Sequence, residues 1–190
     1  MSIEVAVRVR PLLDHELTQN QTCIWKCSKS DKSVVAEAGV NSNSRSREQE
    51  THFKFHECYD NADSNTDVFN TLCKQTIQNS LEGQNMTAFV YGQTGSGKTF
   101  TISGGQQKSN IGLIGMSVKE ILLHSKQSPA SNQLSFEWSC FEIYNEHVRD
   151  IMIGQSESAD YLKVVENGTG NFECMGLTNY VFSTYEDFEV

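Results

Sequence analysis

The eight residues Gly92-Gln93-Thr94-Gly95-Ser96-Gly97-Lys98-Thr99 constrain this chain more tightly than any other stretch of it. They satisfy G-x-x-x-x-G-K-[ST], the pattern of a phosphate-binding P-loop. Glycines let the backbone curl round an anion and turn successive N–H groups inward, a path that residues with a Cβ resist. Lys98 adds a point charge for the outer phosphates, and the Thr99 hydroxyl is a natural Mg²⁺ ligand. A helix beginning near Gly97 would aim its positive end at the same phosphates. Residues 86–91, Met-Thr-Ala-Phe-Val-Tyr, are apolar enough for a buried strand and run straight into the loop. The order strand, loop, helix is the context the motif requires, and it argues against a Gly/Ser turn that matches by accident.

Composition narrows the class further. At 190 residues the chain has the size of one domain and can bury a core. Its apolar runs are strand-sized, too short for a transmembrane helix. The start, Met1-Ser2-Ile3-Glu4-Val5, has neither the basic region nor the apolar core of a signal peptide. Cys23, Cys27, Cys58, Cys73, Cys140 and Cys174 include no C-x-x-C pair and no spaced histidines, so we expect free thiols rather than a zinc site. The N-x-T runs at Asn20, Asn85 and Asn167 then read as coincidence. A formal charge of −9 argues against a surface built for nucleic acid.

Along the chain, Ile3, Val5, Val7 and Val9 alternate with polar or small residues, which predicts a strand ending at Pro11. Short strands are expected around Trp25 and Val34-Val35, and again at 51–57. Residues 39–50 are polar and charged, as an exposed hairpin tip or mobile loop would be. Ser64 or Asn65 should cap a helix carrying Val68, Phe69, Leu72, Ile77 and Leu81, ended by Gly83. After the P-loop, Gly104 to Asn110 interrupts the helical run, and periodicity resumes from Leu113 to Leu123. Leu134, Phe136, Trp138 and Cys140 alternate strictly before the phase slips at Phe141, Ile143 and Tyr144. Two or three short strands are expected between 162 and 182, and Thr184 should cap a last helix. Strands interleaved with helices predict an α/β domain.

Three segments together resemble one family, the kinesin motor domains. Val7-Arg8-Val9-Arg10-Pro11-Leu12 is similar to the first-strand R-x-R-P signature. Tyr91 to Thr99, followed by Phe100-Thr101, resembles Y-G-Q-T-G-S-G-K-T. Phe141-Glu142-Ile143-Tyr144-Asn145-Glu146, with Val148-Arg149-Asp150, resembles F-x-E-I-Y-N-E-x-[IV]-x-D-L. The resemblance implies a P-loop NTPase architecture, a central and largely parallel mixed sheet flanked by helices. It also implies ATP and Mg²⁺ as cofactors, with Thr99 on the metal, and a cytoplasmic, cytoskeletal setting with microtubules as the partner. Arg8, Arg10 and Pro11 would lie beside the adenine, where guanidinium planes stack and Pro supplies a rigid wall. Phe100 either touches the base or belongs to the core. The Glu142 to Glu146 block is read as structural, and no residue is assigned a catalytic role.

The departures are specific. Phe55 is followed by His56 where the family has Asp, Gln84 stands for an aromatic, and the G-I-I-P-R segment reads Gly112-Leu113-Ile114-Gly115-Met116. No N-x-x-S-S-R-S-H or D-L-A-G-S-E run follows the P-loop. Ser42 to Arg47 resembles the first superficially but precedes the loop. We therefore expect residues 1–190 to be the N-terminal portion of a motor domain, incomplete at its C-terminal end, binding nucleotide but poor at hydrolysis alone. Tubulin is acidic, so a −9 portion is repelled unless basic loops elsewhere compensate. Two other readings stay open: a non-motor nucleotide-binding or interaction module with the same fold, and an unrelated P-loop NTPase or kinase.

Overall fold

A computed structural model describes residues 3–36, 52–107, 109–127, 134–153 and 161–189. The chain divides into two units, Met1–Ile121 and Leu122–Val190. In chain order the first unit contains strand β1 (Ala6–Arg8), helix α1 (Asp14–Thr18) and strands β2 (Trp25–Ser28), β3 (Ser33–Ala36), β4 (His52–Lys54) and β5 (Glu57–Tyr59). Helix α2 (Asn65–Val68) passes through a π-helical turn (Phe69–Cys73) into α3 (Lys74–Ser80), followed by α4 (Lys98–Ile102) and the start of α5 (Leu113–Gln127).

β1 lies parallel to β5, with Ala6, Val7 and Arg8 opposite Glu57, Cys58 and Tyr59. The ladder runs on at both ends, His56 N–H donating to Val5 C=O at 2.8 Å and Val9 N–H to Tyr59 C=O at 2.9 Å. β2, β3 and β4 form an antiparallel meander in which Trp25 and Phe53 rings approach to 6.4 Å. The expected strand at 51–57 is thus two strands in two sheets, because β4 follows the meander and β5 the parallel pair. Gly39 to Glu50, the expected hairpin tip, lie outside the described residues, as does the switch-like run at 42–47.

Ser64, not Asn65, caps α2. Its hydroxyl accepts from Asp67 N–H at 3.3 Å while the Asp67 carboxylate takes Ser64 N–H at 2.8 Å, a reciprocal box. Val68, Phe69, Cys73 and Ile77 follow at helical spacing and are all buried. Gly83, at φ +93°, ends the segment in the left-handed conformation that favours glycine. Those four side chains join Tyr59 and Leu113 in one core cluster, with Ala6, Ile102 and Met116 against it. Burying each large apolar member stabilises the unit by about 1.5–3 kcal/mol.

Two expectations are corrected here. Residues 86–91 are neither a strand nor buried: Phe89 is 84% and Tyr91 93% exposed. Apolar sequence is not enough for a strand, which needs a ladder partner, and no described strand hydrogen-bonds to this segment. A central, largely parallel sheet is likewise not seen. Parallel pairing among the described residues is confined to β1 and β5, and the remaining pairs are antiparallel.

The second unit holds β6 (Phe136–Trp138), β7 (Phe141–Tyr144), β8 (His147–Asp150), β9 (Lys163–Glu166), β10 (Phe172–Met175), β11 (Tyr180–Phe182) and α6 (Tyr185–Phe188). The phase slip at Phe141 marks a change of sheet: β6 pairs with β11, whereas β7 forms a hairpin with β8. That hairpin turns on Asn145 and Glu146, both at positive φ (50° and 65°), as a two-residue primed turn demands. β9 and β10 close around the 167–170 turn, where Asn167 N–H donates to Asn171 C=O at 2.7 Å. Thr184 caps α6, accepting from Asp187 N–H at 3.1 Å. Phe182 and Phe188 rings then pack at 5.8 Å. All six cysteines are free. No group of three potential metal ligands occurs among the described residues, and no described helix is long and apolar enough to cross a membrane.

Candidate functional site

Residues 92–99 form a loop that leads into α4, with Gly97 as the residue before the helix. Gly95 and Gly97 stand at φ +80° and +93°, where a side chain would be strained. Gly92 is tight for a different reason. A Cβ there would lie 2.5 Å from Ser96 Oγ and 3.2 Å from Ser96 Cβ, so Ser96 would have to shift to admit one. Ser96 N–H donates to Gln93 C=O at 3.1 Å, completing a turn.

The loop's carbonyls are held from two sides. Lys98 Nζ donates to Gly92 C=O at 2.8 Å and Gln93 C=O at 2.9 Å. Arg10 Nε donates to Gly95 C=O at 2.8 Å from the end of β1. Carbonyls committed in this way leave the opposite side of the loop to amides, and the first N–H groups of α4 have no intrahelical acceptor. An ammonium has three donors, so Lys98 keeps one beyond the loop.

Arg10 reaches the loop and Arg8 the helix after it, and their settings differ. Arg10 grips Glu16 with both terminal nitrogens, at 2.7 and 2.6 Å. Glu16 also takes Leu13 N–H at 2.7 Å, capping α1. The guanidinium of Arg10, and secondly that amide, hold the Glu16 carboxyl down at about 2. The same hydrogen bonds raise the pKa of Arg10. Arg8 is committed inward. It donates to Asn65 Oδ1, to Thr101 Oγ1 at 2.9 Å and to Asp63 C=O at 2.9 Å. Its guanidinium carbon lies 5.6 Å from the centroid of the Phe100 ring, within cation–π range. Burial lowers its pKa, against which Asp63, Asp67 and Tyr59 act in the opposite sense.

Each residue singled out from the sequence thus has a place. Gly92, Gln93, Thr94, Gly95, Ser96, Gly97, Lys98 and Thr99 form the loop and its helix start; Arg10 sits at its edge, and Pro11 C=O accepts from Arg10 at 2.8 Å. Phe100 is 40% exposed and its ring lies against Arg8, so it is not a core residue. Arg8 lies against that ring, with three of its five N–H donors taken by Asn65, Thr101 and Asp63. Glu16, Asn65 and Thr101 were not legible as site residues. Asn65 carried only a helix-cap signal, and Glu16 lies six residues from Arg10, a spacing no regular element predicts.

One orphaned polar atom tests whether the site suits a magnesium nucleotide. Ser96 Oγ is buried without a hydrogen-bond partner, and the Thr99 side chain next in the loop's helix start is exposed. Hydroxyls, an ammonium and helix-start amides make a donor set that matches phosphate oxygens, and a Thr hydroxyl matches a hard cation. The residues fit the group.

Comparison with known proteins points the same way. Residues 8–190 match the family model of the kinesin motor domain. The chain is 35% identical over 166 residues to kinesin-related protein 4 of Dictyostelium discoideum, covering 87% of this chain and 8% of that protein. It is 31% identical over 190 residues to mouse kinesin-like protein KIF27, covering 97% and 13%. Against kinesin-like protein KIN-5D of Arabidopsis thaliana the figures are 28% over 199 residues, 97% and 18%. The chain therefore spans less than a fifth of the length of these relatives.

Proposed function

This chain belongs to the kinesin motor-domain family, and from that premise we propose that it is the ATP-binding portion of an ATP-dependent microtubule motor. The observation that carries the reading is the closed loop at 92–99, its carbonyls gripped by Lys98 and Arg10 and its buried Ser96 hydroxyl left without a protein partner. In this reading the loop amides, Lys98 and Ser96 hold the phosphates, and Thr99 holds Mg²⁺. The metal, when bound, neutralises phosphate charge. Arg10, fixed in plane by Glu16, and Pro11 line the adenine side with Phe100. β1, paired in parallel with β5, belongs to the α/β fold that the family implies. Residues 1–190 are the N-terminal portion of the motor domain, acting at the cytoskeleton in the cytoplasm, with the microtubule bound mostly by elements outside them.

Turnover requires a positioned water and a sensor of the terminal phosphate. Because these 190 residues contain neither switch sequence, binding and hydrolysis separate here. The test is Mg-ATP binding by calorimetry, with steady-state ATPase measured with and without microtubules. We expect saturable binding, lost in Lys98→Ala, and little turnover. Binding indifferent to Lys98→Ala would refute the site, and microtubule-stimulated turnover abolished by that change would refute the separation.

A further inference from the structure

Asn65 is a buried polar residue, 6% exposed, in the first turn of α2. Because Ser64 takes the capping role, the Asn65 amide is left to reach outward, and every one of its groups is used. Its Oδ1 accepts from Arg8. Its Nδ2 donates to Phe100 C=O at 2.8 Å and to Ile111 C=O at 3.1 Å. An amide nitrogen has two hydrogens, so both are spent. Three separate segments meet at this one side chain: β1, the end of α4, and the approach to α5.

The placement matters because α4 has only five residues and is marginal as an isolated helix. Its last carbonyls have no intrahelical donor, and Asn65 satisfies that of Phe100. Arg8 completes the arrangement, bonded to Asn65 and to Thr101 while its guanidinium lies against the Phe100 ring. The phosphate loop enters α4 from the other end, held by Lys98 and Arg10. The two ends of the site therefore have independent supports.

We propose that Asn65 is a positioning residue of the nucleotide site, setting the place of Phe100 and Arg8 and thereby the wall that receives the base. This rests on the nucleotide-binding reading above. Removing the amide frees the Phe100 carbonyl and one Arg8 donor but leaves the Lys98 and Arg10 contacts intact. The loss falls on ligands that carry a base and spares those that carry only phosphates.

The experiment is calorimetric titration of the 190-residue chain with Mg-ATP and, separately, with magnesium tripolyphosphate. Asn65→Ala should weaken ATP by about tenfold, the scale of a few lost hydrogen bonds, and leave tripolyphosphate within about twofold. Asn65→Asp, which keeps an acceptor for Arg8 but loses both donors, should behave alike. Equal weakening of both ligands, or ATP affinity unchanged in both variants, would overturn the proposal. An unmodified chain that binds neither ligand would instead overturn the nucleotide-binding reading, and this inference with it. Should Asn65→Ala not fold, as seen by circular dichroism, Thr101→Val decides. It removes one Arg8 contact and should weaken ATP about threefold with tripolyphosphate unchanged; no selective effect would overturn the proposal.

Discussion

Gly112→Ala tests how the segment after the P-loop helix is held. Gly104 and Ile111 pair as an isolated antiparallel bridge, with Gly105 N–H donating to Asn110 C=O at 2.8 Å. Gly112 then passes directly over the end of α4. A Cβ on it would lie 2.3 Å from Ser103 C, 2.4 Å from Gly104 N and 2.5 Å from Ile102 O. All three are backbone atoms and cannot rotate away, so the two segments must separate. Overpacking usually costs about 1–3 kcal/mol, and a clash with three backbone atoms belongs at the upper end. For a chain of this size each kcal/mol lowers Tm by roughly 2–4 °C, so we expect a fall of about 6–12 °C. Differential scanning fluorimetry measures it. Gly168→Ala is the control, since a Cβ there meets nothing within 4 Å, and its Tm should stay within about 2 °C of the unmodified chain. A Gly112→Ala chain that melts with the control would refute the close crossing and, with it, the support that Ile111 gives Asn65.

The remaining predictions concern protons. Glu16, held at about 2 first by Arg10 and then by the Leu13 amide, gives the fold stability that is complete above its ordinary value of 4.5 and lost as pH falls from there toward 2. The ¹³C shift of its carboxyl carbon should titrate near 2, moving toward 4.5 in Arg10→Ala; a midpoint near 4.5 in the unmodified chain removes the ion pair. Cys27 is pushed up to about 12, by burial first and by the Cys58 thiol 3.5 Å away second. Its contribution is present below the ordinary thiol value of 9 and lost as pH rises toward 12. Iodoacetamide at pH 8, followed by peptide mass spectrometry, should label exposed Cys23 well before Cys27, and equal labelling rates would contradict the burial.

What the sequence made legible were features whose causes are local. The loop at 92–99 needs glycines at fixed offsets, so its pattern survives in the letters. The Ser64 and Thr184 caps each place an Asp three residues on, and the helix after Ser64 carries its apolar stripe openly. Residues 86–91 show the opposite case. Their apolar run is real, but a strand exists only through hydrogen bonds to another segment, and sequence periodicity cannot report whether a partner is at hand. The apparent strand at 51–57 failed in the same way, since its two halves serve different sheets.

The support of the candidate site was illegible for a related reason, and the contacts show why. Arg10 meets Gly95 across 85 residues, Arg8 meets Thr101 across 93, and Asn65 meets Phe100 and Ile111 across 35 and 46. No window of sequence contains both ends of any of these bonds. Yet they decide what the motif can do. A P-loop is a set of donors around an empty centre, and its amides favour no ligand unless the carbonyls between them are turned away. Here Lys98 turns two of them and Arg10 a third. Arg8 and Arg10 sit in one signature, and the resemblance implies both beside a base. Arg8 spends three of its five N–H groups on Asn65, Thr101 and Asp63, and Arg10 spends four on Gly95, Pro11 and Glu16. The signature therefore carries two differently held arginines, one fixed to Asn65 and Thr101 and one to Gly95 and Glu16, and their partners, mostly far away in sequence, tell them apart.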